Sequence, residues 1–230
     1  MKKKKQIRIV LLGTGGHARV LMDALRSCTA PFPEWAMDKD RKKWGSKWEG
    51  IRIFKGDDSL QAILNMGATH YVVGVGGNGD NRARARLFVK LKASGLDPFS
   101  VRHSSAVVSP GAILGSGVQL LPGCVVNAGA VIGENVIINS RAVVEHDCFI
   151  EEHVHVAPGA VLCGGVYVGK GSHIGAGAVI RQKIRIGSQS LVGAGAVVVR
   201  DVPPNTWVVG IAAESRGRFE RVPFEKVNIH

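Results

Sequence analysis

The sequence predicts a two-part chain, in which an α/β domain precedes an all-β domain wound as a parallel β-helix. The second part is indicated by sixteen consecutive six-residue units, from Ala106 to Asp201, without an insertion or a deletion. The first part is indicated by an apolar run, a glycine-rich turn and an amphipathic segment in succession. We therefore assign residues 1–101 to the first domain and residues 102–230, with a C-terminal extension, to the second.

The repeat has the period of short strands joined by tight turns. Its third residue is Val, Ile or Leu in all sixteen units, its first is Ala, Val, Cys, Ser or Ile, and Gly closes nine units. Successive residues of a strand point to opposite faces, so we expect the first and third to face inward and the second outward. Gly, Asn, Asp and Lys occur at the sixth position, and these residues suit a corner where the backbone adopts positive φ. Three strands per eighteen-residue coil give a prism of about five coils.

The N-terminal segment reads as a strand, a glycine-rich turn and a helix. An apolar run at 7–12 leads into the turn at 13–17, and ARVLMDALRS at 18–27 carries apolar residues at helical spacing. This Rossmann-like opening can hold a phosphate on the N–H groups of the turn and helix start. The GxGxxG pattern is incomplete, because Ala18 replaces the third glycine. About half of a dinucleotide domain is present, which favours one nucleotide over NAD.

Two more predicted strands complete this domain. One ends at Asp38, and the other, at 71–75, runs into Gly76, Gly77 and Asn78 before a basic helix at 82–93. The carboxyl ends of parallel strands meet along one crevice. We therefore expect His17, Asp38 and Asn78 to share a site.

Composition narrows the class of protein. No apolar run reaches membrane-spanning length and the lysine-rich start lacks a signal peptide's apolar stretch, so we predict a cytoplasmic protein. Four cysteines without a CxxC pair indicate neither a zinc site nor a disulfide framework. The net charge of +12 can simply solubilise the surface, but it also suits acidic, phosphorylated substrates. Nucleic acid is disfavoured because no recognition motif accompanies the charge.

Polar residues that the repeat does not need for packing cluster in its middle. His146 stands at a predicted corner between two carboxylates, one of them Asp147, which can orient the imidazole and raise its basicity. Such a histidine can take a proton from an amine or a hydroxyl. The alternative is an exposed turn histidine with solvated neighbours. The cluster comprises Asn139, Glu145, His146, Asp147, Glu152, His153 and His155.

Other groups in the repeat permit different chemistry. His155 and His173 are eighteen residues apart at outward positions, so they should stack about 4.8 Å apart on the surface. With a third histidine from a neighbouring chain they could bind a metal, although we favour His155 as a contact to an acyl donor. Cys163 could act as a nucleophile, but no activating base is evident beside it.

Three segments together resemble a known family over nearly the whole chain. They are IVLLGTGGHARV, INSRAVVEHDCFIEEHVHVAPGAVLCGG and VVVRDVPPNTWVVG. The chain resembles the left-handed β-helix acyltransferases, within them the sialic acid O-acetyltransferase and nucleotide-amino-sugar N-acetyltransferase family. The resemblance implies left-handed coils, homotrimers, an acetyl-CoA site between adjacent prisms and a nucleotide-sugar site in the N-terminal domain. The ending departs from the family's, since Ala212 replaces Pro and Glu214 a basic residue.

The resemblance also implies roles for individual residues. His146 would be the general base and Asp147 its orienting partner, with Asn139 and His155 lining the same site. The residues implied in contacts to acetyl-CoA are His155, Gly164, Ala176 and Ala194. Those implied on the nucleotide-sugar side are Gly15, Gly16, His17, Asp38, Gly76, Asn78, Arg82 and Asn139. No metal is expected.

We therefore predict acetyl transfer from acetyl-CoA to the amine of a nucleotide-linked amino-dideoxy sugar, by direct attack and without an acyl-enzyme. O-acetylation of sialic acid or a related sugar is the closest alternative, followed by a metal-dependent hydratase and a non-catalytic prism. As a hypothesis, the CoA phosphates bind among the basic residues of the later coils, which are Lys170, Arg181, Lys183 and Arg185.

Overall fold

The computed structural model describes residues 6–211 and 214–218. Its N-terminal domain contains a six-stranded sheet with the order β3-β4-β2-β1-β5-β6. All neighbouring strands are parallel except β3 and β4. Single 3-10 turns lie at Arg41–Lys43 and Asp57–Ser59. The elements are β1 (Ile9–Leu12), α1 (Gly16–Arg26), β2 (Pro33–Asp38), β3 (Lys47–Trp48), β4 (Ile51–Lys55), α2 (Leu60–Asn65), β5 (His70–Val73), α3 (Arg82–Ala93) and β6 (Asp97–Pro98).

The central strand β1 is buried on both faces, as its uninterrupted apolar sequence predicts. Ile9 and Leu11 pack towards α1, in a cluster that also includes Val101, Leu121 and Ile137. This cluster therefore continues from the N-terminal domain into the second domain. The opposite face of β1 packs with α2 and α3. The sequence interpretation did not identify β3, β4 or α2.

The second domain is a parallel β-helix of two-residue strands. Each strand pairs with the strand eighteen residues further along the chain, as the six-residue period predicted. Its strands are β7 (Val101–Arg102), β8 (Val107–Val108), β9 (Ile113–Leu114), β10 (Gln119–Leu120), β11 (Val125–Val126), β12 (Val131–Ile132), β13 (Ile137–Ile138), β14 (Val143–Val144), β15 (Phe149–Ile150), β16 (His155–Val156), β17 (Val161–Leu162), β18 (Tyr167–Val168), β19 (His173–Ile174), β20 (Val179–Ile180), β21 (Arg185–Ile186), β22 (Leu191–Val192) and β23 (Val197–Val198).

These strands form the three faces of a prism. We call them the covered face (β7, β10, β13, β16, β19, β22), the valine face (β8, β11, β14, β17, β20, β23) and the third face (β9, β12, β15, β18, β21). Sixth residues of the units form the corners, and fourteen of the sixteen have positive φ. The corner prediction is confirmed, since non-glycine residues such as Asp147 adopt the same conformation as the glycines.

First and third residues of the units fill the interior, as predicted. Among them are Cys124 and Cys148, and burial raises the pKa of each thiol to about 11. Second residues point out of the prism, but on the covered face the N-terminal domain buries them. The expectation that His155 and His173 lie on the surface is therefore wrong. The three faces have the same six-residue pattern, so the repeat alone does not indicate which of them the N-terminal domain covers.

The covered face continues beyond the repeat. Its next strand, β24 (Thr206–Val209), is parallel to β22, and β25 (Glu214–Arg218) pairs antiparallel with β24. The rest of the C-terminal extension, at 219–230, and the departure at Ala212 lie outside the described residues. Within the described part of the chain, no helix is both long and apolar enough to cross a membrane.

Candidate functional site

The predicted base lies at the corner between the valine face and the third face. His146 and Asp147 follow strand β14, and the Nδ1 atom of His146 is 2.8 Å from Oδ2 of Asp147. A carboxylate oxygen only accepts, so Nδ1 donates and the neutral imidazole keeps its lone pair on Nε2. The two side chains are 64% and 72% exposed, so a reacting molecule can reach them. This is the geometry of an oriented general base.

Each of these side chains lies over a glycine of a neighbouring coil. A Cβ atom on Gly164 would lie 2.5 Å from Nε2 of His146, and one on Gly129 would lie 2.5 Å from Oδ1 of Asp147. Any larger residue would displace the imidazole or the carboxylate. Gly164 was predicted and Gly129 was missed, although it stands eighteen residues before Asp147.

Of the remaining predicted acetyl-CoA residues, Ala176 and Ala194 lie on the next corner, between the covered face and the valine face, whereas His155 lies in strand β16 and is buried. Ala176 and Ala194 are exposed and occupy equivalent positions of successive coils. Asn139 lies on the same corner, where its Oδ1 accepts from the Ser140 amide at 2.8 Å. Its Nδ2 therefore donates to Nε2 of His155 at 3.0 Å. Within one chain, this corner and the His146 corner are separate.

The two stacked histidines do not form a metal site. Their strands pair with His155 opposite His173, and the ring centroids are 4.8 Å apart, as predicted. However, the rings are almost perpendicular, at 85°, and the N-terminal domain buries both. A histidine of another chain has no access to them. Within the described residues, no group of three His, Cys, Asp or Glu side chains is placed to hold a metal ion.

A cavity of about 1080 Å³ lies at the carboxyl ends of the strands in the N-terminal domain. This is where ligands bind in open parallel sheets. Of the predicted nucleotide-sugar residues, it is lined by Gly15, Gly16, His17, Asp38, Gly76 and Asn78. Arg82 does not line it, and instead its Nε donates to Asp80 at 3.3 Å.

Asp38 is held by groups of the cavity wall. Its Oδ2 accepts from the Thr14 amide at 2.9 Å and the Thr14 hydroxyl at 2.5 Å, and it lies 3.0 Å from Nζ of Lys43. Burial alone would raise the pKa of Asp38, but these bonds and one from the Asp40 amide outweigh it and lower the pKa to about 2. The carboxylate is charged at neutral pH, and only Oδ1 has capacity for a further donor.

His17 joins the cavity to the prism. Nε2 of Gln119 donates to the Val73 carbonyl at 2.8 Å, which turns Oε1 of Gln119 towards Nε2 of His17 at 2.6 Å. His17 therefore carries its proton on Nε2, and burial lowers its pKa. Nδ1 remains an acceptor next to Gly76.

Sequence reasoning missed most of the charge in this cavity. Six cationic side chains line it, against the carboxylates of Asp38 and Asp58. They come from the 3-10 turn, from strand ends and from α3, whose basic character was the available signal. The six are Lys39, Arg41, Lys43, Lys55, Arg86 and Lys90.

Family models match both domains. The PglD N-terminal domain matches residues 8–91, and the bacterial transferase hexapeptide (six repeats) matches residues 105–146 and 147–182. A sequence comparison with curated proteins gives no match.

Solved structures resemble the chain over almost its full length. Perosamine N-acetyltransferase from Caulobacter crescentus, solved as a variant in complex with CoA and GDP-perosamine, is 35% identical, with a TM-score of 0.85 over 91% of this chain and 96% of its own. The acetyltransferase domain of PglB from Neisseria gonorrhoeae FA1090 is 32% identical, with a TM-score of 0.82 over 91% and 100%. WeeI from Acinetobacter baumannii AYE, 24% identical with a TM-score of 0.80 over 91% and 100%, shares the fold. The chain is an acetyltransferase and belongs to the left-handed β-helix family of nucleotide-amino-sugar acetyltransferases, with a PglD-type N-terminal domain and hexapeptide repeats.

Proposed function

We propose that the protein transfers the acetyl group of acetyl-CoA to the amine of a nucleotide-linked amino-dideoxy sugar. The observation that carries the proposal is the exposed His146 imidazole, oriented by Asp147 through Nδ1, with its Nε2 over Gly164. Relatives support the two substrates, since one was solved with CoA and GDP-perosamine and another with acetyl coenzyme A.

The chemistry follows from the oriented base. The sugar amine attacks the thioester carbonyl carbon, and Nε2 of His146 takes a proton from the attacking nitrogen. The C–N bond forms, the C–S bond breaks, and the CoA thiolate leaves and takes up the proton. The N–H of Gly164 is the proposed donor to the developing oxyanion. A general base of this kind contributes about 10²–10⁴-fold, and positioning of the two substrates contributes much of the rest.

The charge of the N-terminal cavity supports a nucleoside diphosphate as the carrier of the sugar. Six cationic side chains face two carboxylates there, which leaves an excess of four positive charges. Among them, Lys43 lies 3.0 Å from Asp38 and Lys55 lies 2.8 Å from Asp58. A diphosphate carries two negative charges, whereas free sialic acid carries one carboxylate. The cavity therefore favours the nucleotide sugar over the sialic acid alternative.

We propose a homotrimer in which the valine faces meet. The outward residue of all six strands of this face is valine, and two of them are 60% and 37% exposed, Val107 and Val179. A continuous apolar face made of six outward valines is typical of a protein–protein interface. It lies between the two corners, so neighbouring chains packed through it would bring the His146 corner of one beside the Asn139, Ala176 and Ala194 corner of the next. Acetyl-CoA would bind in that groove.

Three of the four proposed cations suit the CoA phosphates. Arg181 and Lys183 lie on the His146 corner one coil after Gly164, and the Lys183 amide donates to the Gly164 carbonyl at 3.0 Å. Arg185 lies nearby on the third face, over the Tyr167 ring at 4.0 Å. Lys170 lies at another corner and pairs with Glu152 at 2.9 Å, so we omit it from the proposed set.

The test is thiol release from acetyl-CoA with UDP-, dTDP- and GDP-linked 4-amino sugars, beside free sialic acid. We expect release with at least one nucleotide amino sugar and none with its 4-hydroxy analogue. Release with sialic acid alone would replace the proposal by O-acetylation. Absence of both release and acetyl-CoA binding would leave a non-catalytic prism. We propose that the enzyme acts in the cytoplasm.

A further inference from the structure

The N-terminal domain meets the covered face through a buried polar interface. Asn81, directly before α3, donates through Nδ2 to the carbonyls of Gly171 at 3.2 Å and Ser172 at 2.9 Å. On the other side of the loop 76–79, Gln119 donates to the carbonyl of Val73. The loop that lines the cavity is therefore tied to the prism at both of its ends.

Arg84 forms the most buried part of this interface. Its side chain is fully buried, and its guanidinium donates to the carbonyls of Asn135, His153 at 2.7 Å and Val154 at 3.1 Å. Burial lowers its pKa to about 9, so it is still a cation at neutral pH. No carboxylate is paired with it in the described part of the chain. A buried charge without a counterion is costly, so stability alone does not account for Arg84.

Four neutral histidines surround this cation. Burial is the main reason that their pKa values are lowered, and the charge of Arg84 adds to the effect in each case. The charged groups at the adjoining corner include Glu134, Glu152, Lys170 and, from α3, Lys92. The histidines are His17 of α1, His153 of the corner, His155 of β16 and His173 of β19.

The cavity loop rests directly on one of these histidines. A Cβ atom on Gly77 would lie 3.4 Å from Nδ1 of His155 and 2.2 Å from Oδ1 of Asn81. On its far side, His155 accepts from Asn139 of the proposed transfer groove. The chain of contacts thus leads from the nucleotide-sugar cavity, through the loop, to the corner that we assign to acetyl transfer.

We propose that Arg84 is a positioning residue for acetyl transfer, which fixes the cavity loop and α3 against the Asn139–His155 edge of the prism. The proposal rests on the proposed function. Arg86 and Lys90 of the same helix line the cavity, so a shift of α3 would move one cavity wall relative to the prism. The charge of Arg84 also opposes protonation of His155, whose Nε2 must stay unprotonated to accept from Asn139.

The test compares Arg84→Met and Arg84→Lys with Lys92→Met. Lys92 is a matched control, because the same helix presents it to the same corner, where its Nζ lies 2.8 Å from Glu134 in a half-exposed pair. We expect Arg84→Met to lower kcat/KM for the nucleotide sugar by about 10²-fold, the cost of an ångström-scale misplacement. The Kd of CoA, measured calorimetrically, should change less than about twofold, since its proposed groove lies on the prism.

The pH dependence of activity distinguishes the effect of the Arg84 charge from the effect of its hydrogen bonds. Loss of the Arg84 charge raises the pKa of His155 and His173. As the pH is lowered, Arg84→Met should therefore lose activity at a higher pH than the wild type does. Arg84→Lys keeps the charge and should keep the wild-type acid limb, while its kcat/KM remains reduced. Lys92→Met should match the wild type in both measurements.

Two outcomes would overturn the proposal. One is Arg84→Met behaving like Lys92→Met, and the other is the affinity for CoA falling by as large a factor as kcat/KM for the nucleotide sugar, which would indicate general damage. Hydrogen–deuterium exchange at 76–81 and 153–156 reports on the same contact independently of activity, and it should rise in Arg84→Met and Arg84→Lys but not in Lys92→Met. Inactivity of the wild type on every nucleotide sugar would reject the proposed function, and unchanged exchange would reject the role of Arg84. If Arg84→Met fails to fold, Arg84→Lys provides both tests, namely the reduced kcat/KM and the raised hydrogen–deuterium exchange.

Discussion

The imidazole of His146 lies against the backbone of Gly164, which stands at the equivalent position of the next coil. A methyl group on Gly164 would lie 2.5 Å from Nε2 and 2.6 Å from Cε1. The same contact sets the position of the lone pair and brings the proposed oxyanion donor beside it. Base and donor are thus held together by the pitch of the β-helix.

Gly164→Ala tests this contact. The new methyl group should displace the exposed imidazole and lower kcat by roughly 10-fold or more, with little change in melting temperature, because a side chain rather than the backbone gives way. The matched control is Gly111→Ala, a corner glycine where a Cβ atom meets only Ser109 at 3.8 Å and Gly129 at 3.9 Å. Equal activity of the two variants would contradict the proposed geometry.

His146→Ala should keep the fold and lose most of the turnover. The side chain is exposed, and its loss removes a general base worth about 10²–10⁴-fold in kcat. Steady-state thiol release gives the rate and a thermal melt checks the fold. His103→Ala, before the repeat, is the control. Near-normal turnover of His146→Ala would refute the assignment.

The triple variant Arg181→Ala, Lys183→Ala, Arg185→Ala tests the CoA subsite. Loss of charge-assisted bonds to phosphate should weaken acetyl-CoA binding by about tenfold or more, and the dependence of affinity on salt should decrease. Lys170→Ala is the control, because its partner is Glu152 at another corner. Unchanged affinity of the triple variant would dismiss the hypothesis.

Val161→Arg tests the trimer. A guanidinium at the middle of the valine face cannot be buried against a second apolar face, so light scattering should report a monomer. Turnover should be lost with assembly, because both corners are needed for the proposed groove. Ile113→Arg, on the third face and 64% exposed in the wild type, should leave the mass unchanged. A monomeric wild type with full activity would contradict the shared groove.

Stability should fall as the pH falls from about 6.5 to about 4. Burial, with the charge of Arg84, lowers the pKa of His153 and of His173 to about 4, whereas unfolded histidine titrates near 6.5. Between these values the unfolded chain binds more protons, so the stabilisation is complete above pH ~6.5 and declines below it, by up to ~3 kcal/mol per histidine. Urea unfolding across this range measures the slope. The double variant His153→Gln, His173→Gln should flatten it, and His103→Gln should not.

The sequence could predict whatever depends on the eighteen-residue period. The stacking of His155 on His173 and the positive φ of the corners follow from spacing alone, and the His146–Asp147 contact follows from adjacency. Each of these relations is set by the coil itself.

Contacts between the domains could not be predicted in this way. In the segment RARAR, Arg82 pairs with Asp80, Arg84 is buried in the interface and Arg86 lines the cavity. Residues two apart on a helix differ by about 200° in direction, so the middle arginine points away from the other two. In the folded protein this direction is towards the prism. Only the docking of α3 reveals which direction that is. The burial of His155 depends on the same docking.

An unbroken repeat also limits how such a chain can change its length during evolution. His146 lies over Gly164, and Asp147 over Gly129, because eighteen residues separate each pair. One residue gained or lost between them would turn outward side chains inward and disconnect the base from its glycine. Tolerated changes of length within the prism should therefore come as whole turns, and smaller ones should accumulate in the N-terminal loops instead.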